Sequence, residues 1–150
     1  MSLDNLLGTN QLKRHTVNAG EVQKLLDAAG RNITDSRAAN ISDETRFDAA
    51  YKAIMQCALI GLMAHGYRPS TNTPGHHQTM MQTLELTLGV PAQQWRVLDA
   101  LRKKRNVNDY SGDPIEAEAV RECVSQAEAM LSLTRAWLAA NRADLLVVTK

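Results

Sequence analysis

The sequence predicts an all-α fold, an up-and-down bundle of four to five helices that forms a single domain over residues 1–150. Aromatic residues make up only 4% of the chain, whereas Ala, Leu, Gln, Glu, Arg and Met are plentiful, a composition that favours helices over sheets. Apolar residues recur at three- and four-residue steps, and no stretch has a convincing period of two. A chain of 150 residues, 44% of them hydrophobic, suits one domain with its own core. We expect that core within residues 18–141, between a short N-terminal helical turn and a C-terminal tail.

Capping residues, glycines and prolines mark where the helices begin and end. Asn18 and Ser42 are good N-caps for the first two long helices, which we expect to end near residue 38 and at Gly66. The second of these helices is apolar nearly all round, which is typical of a central position in a bundle. The remaining predicted elements are a helical turn at residues 3–7, a loop at 66–75, a short helix at 76–88, a helix beginning at Pro91, a break at 111–114, a last long helix at 114–141 and one strand-like run at 145–148.

Charge and hydropathy weigh against several classes of protein. The formal net charge of +1 argues against a global electrostatic attraction to nucleic acid, so any basic site must be local. The N-terminus lacks the basic region and long apolar run of a signal peptide. The most apolar stretch, residues 53–64, is shorter than the roughly 20 residues that a membrane span needs. Cys57 and Cys123 are interpreted as core residues in a reducing compartment. We therefore expect a cytoplasmic protein with no membrane partner.

The most informative segment is a basic one that precedes an acidic one. Residues 91–110 carry five basic and two acidic side chains, whereas residues 111–131 carry one basic and five acidic side chains. Complementation of helix dipoles is one interpretation, above all for the lysines. Arg102 and Arg105 share a helical face with Leu98 and Leu101. This predicts that at least one guanidinium points toward the bundle and needs a carboxylate, a carbonyl or a phosphate as its partner.

Three sequence features occur in a fixed order around this segment. An Ala-rich helix ends in GYRP, a GHH opens a shorter helix, and RNVNDY at residues 105–110 comes shortly before the last long helix. Together they resemble HEPN domains, in a bacterial branch with this layout, over about residues 43–141. The HEPN signature is an arginine, usually followed by a polar residue, with a histidine four to six residues further on.

The resemblance implies a small helical bundle that dimerises, so that the arginine motifs of two chains face one cleft. Active HEPN domains are metal-independent ribonucleases, often toxins, whereas others bind nucleotides or accompany a small nucleotidyltransferase. By resemblance, Arg105 would hold a phosphate and Asn106 would help to orient it. The expected partners are a second copy of the chain, a nucleotide or RNA, and a cognate antitoxin or nucleotidyltransferase.

The chain departs from the signature where the histidine is expected. The corresponding residue is Tyr110, or Asp109 or Ser111 with a different spacing. A tyrosine with an ordinary pKa of about 10 exchanges protons poorly at pH 7, although it can donate a hydrogen bond or stack on a base. This favours a non-catalytic module that binds a nucleotide or RNA phosphate. Alternatively, Tyr110 is a helix-end core residue with its hydroxyl at the rim. The predicted binding residues are Arg102, Arg105, Asn106 and Tyr110.

Two other functions stay open. A metal-independent endoribonuclease would need a substitute acid or base, and the catalytic candidates are Arg105, Tyr110 and His77, with His76 as a further one. A structural or adaptor bundle would use the basic segment only to cap a helix or to dock an acidic partner. His65 could approach the two later histidines if the loop folds back, but the spacing is not a recognised ligand pattern, so we predict no metal site. The sequence also lacks a Gly-rich phosphate loop, and no cofactor is expected.

Overall fold

The computed structural model describes residues 2–72 and 75–146. Four long α-helices build a bundle, and three short α-helices, a 3-10 turn and a two-stranded sheet complete the described part of the chain, which confirms the predicted all-α class. The elements are α1 (Leu3–Gly8), β1 (Leu12–Arg14), α2 (Ala19–Ser36), α3 (Asp43–Ala64), β2 (Tyr67–Pro69), α4 (His76–Gln82), α5 (Leu84–Leu88), α6 (Ala92–Ser111), α7 (Ala117–Asn141) and the 3-10 turn (Ala143–Leu146).

Helix α3 is the centre of the bundle, as its apolar pattern predicts. Thirteen of its 22 residues are buried, and it packs against α2 and α7 along its length and against α4, α5 and α6 on the remaining side. Among the described residues, α3 is the helix whose length and composition would suit a membrane span, but 72% of its most apolar stretch is buried inside the bundle. Its apolar character therefore follows from its central position.

The predicted helix starts are confirmed at α2 and α3. The side chain of Asn18 accepts a hydrogen bond from the backbone N–H of Glu21 at 2.9 Å, and the Ser42 hydroxyl accepts one from Thr45 at 3.2 Å. These bonds satisfy backbone donors that have no partner inside the helix. Gly66 follows the end of α3 with a φ of 89°, a backbone conformation that side chains with a Cβ rarely adopt.

A small sheet replaces part of the predicted loop. Strands β1 and β2 pair antiparallel, with Leu12 opposite Pro69 and Arg14 opposite Tyr67. Each strand has three residues, so neither is long enough to display the alternating pattern by which strands are read from a sequence. The sheet ties the N-terminal segment to the chain that leaves α3. The prediction of a strand-like run at 145–148 is wrong for Leu145 and Leu146, because both lie in the 3-10 turn. Residues 147 and 148 lie outside the described residues.

The short helix predicted at residues 76–88 is divided in two at Thr83. The Thr83 hydroxyl donates to the carbonyl of Met80 at 2.8 Å, and the chain turns there so that α5 can pack on α3. The approach is close, because a Cβ at Gly61 would lie 2.9 Å from Leu88 Cγ and from Thr87 Oγ1. With α5 held in this way, α4 lies between α3 and α6, where the candidate site forms.

Candidate functional site

The basic segment lies inside α6 rather than at its end. Helix α6 continues to Ser111, and its last turn contains no basic residue, so the interpretation of the lysines as dipole caps is wrong. Instead, the Lys103 Nζ lies 3.7 Å from Asp99, and the Lys104 Nζ lies 3.8 Å from Glu116. Both ammonium groups make ordinary ion pairs at the protein surface.

Arg102 points toward the bundle. Its side chain is only 12% exposed, and its Nε donates a hydrogen bond of 2.7 Å to Asp99 Oδ1, whose side chain is 13% exposed. The prediction that at least one guanidinium of this face turns inward is therefore confirmed. The i, i+3 spacing of Asp99 and Arg102 on one helix is a signal from which this pairing could have been found.

Arg105, one turn later, lies in a different environment. Its guanidinium carbon lies 5.0 Å from the centre of the Tyr51 ring, which is a cation–π distance. Its Nε lies 3.4 Å from Asp48 Oδ1, and its Nη1 lies 3.9 Å from Asp109 Oδ2. The buried Nε makes no well-formed hydrogen bond, so the contact with Asp48 is an ion pair. Arg105 thus has an aromatic ring and two carboxylates around it.

The surroundings of Arg105 are acidic at a small cavity between α3 and α6. Glu44, Asp48 and Asp109 line this cavity of about 40 Å³ together with Arg105. Burial raises the pKa of the Asp48 carboxyl above its ordinary value, and the positive charge of Arg105 opposes that shift. Carboxylates at this position compete with any incoming phosphate for the guanidinium, and they repel the phosphate. Direct phosphate binding by Arg105 at this cavity is therefore disfavoured.

Tyr51 joins Arg105 to the histidines of α4. Its hydroxyl oxygen lies 3.1 Å from His77 Nδ1, and the ring of His77 meets that of His76 edge-on at 4.6 Å. Burial raises the pKa of Tyr51 to about 12, so the phenol is protonated at neutral pH. Burial, followed by the charges of His76, Arg105 and Arg102, lowers the pKa of His77. His77 is consequently a neutral imidazole at pH 7.

A cleft between α4 and α6 brings several of the predicted residues together. It has a volume of about 190 Å³ and is open to solvent on one side. The arginine that borders it is Arg102, and Asn106 follows on the next turn of the same helix face. The opposite wall comes from the start of α4. The lining residues are Gly75, His76, His77, Gln78, Arg102 and Asn106.

Tyr110 is separate from this cleft. The residue is 93% exposed, so the alternative interpretation as a helix-end core residue is wrong. Val107, on the preceding turn, is 63% exposed, so this face of α6 is turned to solvent. Of the four predicted binding residues, two line the cleft, Arg105 lies behind it, and Tyr110 is outside it.

His65 does not join the histidines of α4. Its Nε2 lies 2.8 Å from the carbonyl oxygen of Thr87, and its ring centre lies 5.2 Å from that of Trp137 at a tilt of 39°. In the part of the chain that the structure describes, no three His, Cys, Asp or Glu side chains come close enough together to hold a metal ion. The candidate site therefore has guanidinium, amide and imidazole groups to offer a ligand.

A larger groove of about 690 Å³ runs between α2 and α3. Its lining includes charged residues of both signs, Arg31, Asp35 and Lys52. Two further lining residues pair with each other, since the Asn32 amide donates to Gln56 Oε1 at 2.9 Å. The groove contains none of the residues predicted for the site.

Comparisons of the chain with protein-family models, with curated proteins and with solved structures yield no match. The resemblance to HEPN domains therefore depends on the order of sequence features alone. The residues that line the cleft between α4 and α6 support a ligand-binding function independently of that resemblance.

Proposed function

We propose that this chain is a HEPN-like, cytoplasmic module that binds the phosphate group of a nucleotide or RNA in the cleft between α4 and α6 without cleaving it. The observation that supports the proposal most is the shared lining of that cleft. Arg102 and Asn106 come from one helix, His76 and His77 come from another, and all four border about 190 Å³ of open space.

These side chains suit an oxyanion. The hydrogen bond of Arg102 to Asp99 uses Nε, which leaves the two Nη groups of the guanidinium for a ligand. A guanidinium offers N–H groups in a planar fork that matches two phosphate oxygens. Asn106 is exposed on the next turn and adds an amide donor. Arg102 carries the positive charge of the cleft, which its ion pair with Asp99 on the Nε side partly offsets, and the Asn106 amide and the imidazoles provide directional hydrogen bonds.

The size of the cleft limits what can enter. Sites that enclose a whole small molecule are usually about 300–1,000 Å³. A cleft of about 190 Å³ is large enough for a phosphate with part of its sugar, and a base would remain outside. This favours recognition of a backbone or terminal phosphate, with little discrimination between bases.

The partners in this proposal come from the family resemblance. They are a second copy of the chain and a cognate antitoxin or nucleotidyltransferase. The solvent-facing side of the last turns of α6 supports a protein contact, because Val107 and Tyr110 expose apolar surface there. Scattered apolar side chains are common on protein surfaces, so the cleft remains the stronger observation.

A second candidate function is a metal-independent endoribonuclease, and one observation favours it. Two imidazole rings, His76 and His77, stand 4.6 Å apart at the wall of the proposed phosphate cleft. A neutral His77 could accept a proton from a ribose hydroxyl, and a second imidazole beside it could donate one to the leaving oxygen. These histidines would then replace the one that the sequence motif lacks.

The proposal is tested by thermal-shift titrations with inorganic phosphate, a nucleoside monophosphate and a short single-stranded RNA. A ligand that binds only the folded state must raise the melting temperature. We compare the wild type with Asn106→Ala and use Gln93→Ala as a matched control, since both amides are exposed on α6. We expect wild type and Gln93→Ala to bind alike, and Asn106→Ala to bind about two- to tenfold more weakly, because it lacks one hydrogen bond.

The RNA is examined for cleavage after each titration. Stabilisation with intact RNA supports the binding module. Cleavage that disappears in His77→Gln favours the endoribonuclease. If no ligand raises the melting temperature and the RNA stays intact, the chain is better described as an adaptor bundle, and the phosphate proposal is wrong.

A further inference from the structure

We infer that Tyr51 and Arg105 are positioning residues, which fix the His77 imidazole so that its Nε2–H faces the cleft as a hydrogen-bond donor. The inference rests on the proposed function, because it gives His77 a task at the phosphate cleft. It also gives Arg105 a role other than that of a phosphate ligand. The observation that supports it is a row of three side chains from three helices, Arg105, Tyr51 and His77.

The row begins with Arg105 on α6, whose guanidinium carbon lies 5.0 Å from the centre of the Tyr51 ring. It continues from the Tyr51 hydroxyl on α3 to His77 Nδ1 on α4 at 3.1 Å. Asp48 and Asp109 hold Arg105 from behind through ion pairs of 3.4 and 3.9 Å. Each group in the row is thus held by another, and its last member borders the cleft.

The direction of the bond between Tyr51 and His77 decides which nitrogen carries the proton. A neutral imidazole has one donor nitrogen and one acceptor nitrogen. The cation over the Tyr51 ring draws electron density from the phenol, which makes its O–H a better donor and its oxygen a poorer acceptor. The hydroxyl therefore donates to Nδ1. The proton of the His77 ring is then on Nε2.

The remaining nitrogen is available to a ligand. His77 Nε2 has no hydrogen-bond partner among residues 2–72 and 75–146, and the ring lines the cleft. In the Nε2–H form, His77 donates toward a phosphate oxygen, as the Arg102 guanidinium and the Asn106 amide do. In the opposite form it would present a lone pair and repel the oxyanion. Tyr51 therefore acts on ligand binding through the choice of tautomer.

The decisive experiment measures the tautomer of His77 in the free protein. Long-range proton–nitrogen correlation of ¹⁵N-labelled histidines distinguishes the two neutral forms at about pH 8, above the ordinary pKa of histidine. The variants are Tyr51→Phe and Tyr110→Phe, the same substitution at a buried site and at an exposed one. Tyr51→Phe keeps the ring and its cation contact and removes only the hydroxyl.

We expect the Nε2–H form of His77 in the wild type and in Tyr110→Phe. In Tyr51→Phe we expect a mixture of both forms, together with affinity for inorganic phosphate or the short RNA that is about two- to tenfold weaker. An Nδ1–H form in the wild type would overturn the inference. So would a tautomer that Tyr51→Phe leaves unchanged.

Arg105→Gln, with Arg121→Gln as its exposed control, separates positioning from direct binding. We expect Arg105→Gln to weaken the preference for the Nε2–H form and Arg121→Gln to leave it intact. Loss of ligand binding in Arg105→Gln with an unchanged His77 tautomer would make Arg105 a ligand and overturn the inference. If the wild type binds no ligand at all, the proposed function fails, while the tautomer measurements still decide whether Tyr51 and Arg105 position His77.

Discussion

Helices α3 and α6 are similar in length and are buried to very different degrees. In α3, 13 of 22 residues are buried, whereas Leu98 and Leu101 are the two buried residues of the 20 in α6. A helix that is buried on most sides contributes stability, and a helix that is buried along one narrow edge can present charges to a ligand. The two helices meet behind the candidate site, where Asp48 and Tyr51 of α3 contact Arg105 of α6. The position of Arg105 on α6 therefore depends on the packing of α3.

The largest expected effect is loss of packing in α3. Ile54 is fully buried, so Ile54→Ala removes methyl and methylene groups from a closed core and leaves a cavity. We expect the free energy of unfolding to fall by about 2–5 kcal/mol. Urea denaturation monitored by circular dichroism measures it.

Val107→Ala on α6 is the matched control for this prediction, since it also truncates a β-branched residue. Val107 is 63% exposed, and we expect the free energy of unfolding to change by less than about 0.5 kcal/mol. Similar losses in the two variants would contradict the contrast between α3 and α6. They would indicate that the end of α6 is covered in solution.

A smaller effect is expected where α5 approaches α3. Gly61→Ala places a Cβ 2.9 Å from Leu88 Cγ and Thr87 Oγ1, so the two helices must shift apart. We expect a loss of about 1–3 kcal/mol in the free energy of unfolding, measured by the same denaturation. Gly30→Ala in α2 is the control, because its Cβ meets no atom within 4 Å, and we expect a gain of up to about 1 kcal/mol from helix propensity. Stabilisation by both substitutions would refute the close approach.

The fold was largely predictable because its signals are local. Asn18 and Ser42 cap α2 and α3 through hydrogen bonds to residues three positions later. The apolar pattern of α3 predicts its burial directly, because apolar residues occur on nearly all of its faces. The sheet was missed because its strands have three residues each. The break at Thr83 was missed because the packing of α5 on α3, a tertiary contact, decides where the helix turns.

The site was predictable only where both partners lie on one helix. Arg102 and Asn106 are four residues apart and share a face, so the sequence could group them. Tyr51 lies on the apolar ridge of α3, and nothing in its periodicity reveals that its hydroxyl meets His77, 26 residues away. Tyr110 was predicted from its spacing in the motif, but the start of α4 lies beside Arg102 and Asn106 and leaves Tyr110 exposed.

The smallest expected effect concerns the proton balance of His77. In the folded protein, burial and nearby positive charges lower its pKa below the ordinary 6.5, so the unfolded chain binds a proton at a higher pH than the folded protein does. Well above pH 6.5 both states are neutral at this residue. As the pH falls through 6.5 toward the lower folded pKa, the unfolded state is stabilised first, and the free energy of unfolding decreases.

We expect the wild type to lose more stability than His77→Gln between about pH 7.5 and 5. This difference is smaller than the loss in either packing variant, because His77 is only half-buried. The raised pKa of Asp48 acts in the opposite sense in both proteins and so cancels in their difference. If the free energy of unfolding changes with pH equally in the two proteins, the prediction is wrong. His77 would then be accessible to water, and α4 would resemble the exposed α6 more than the buried α3.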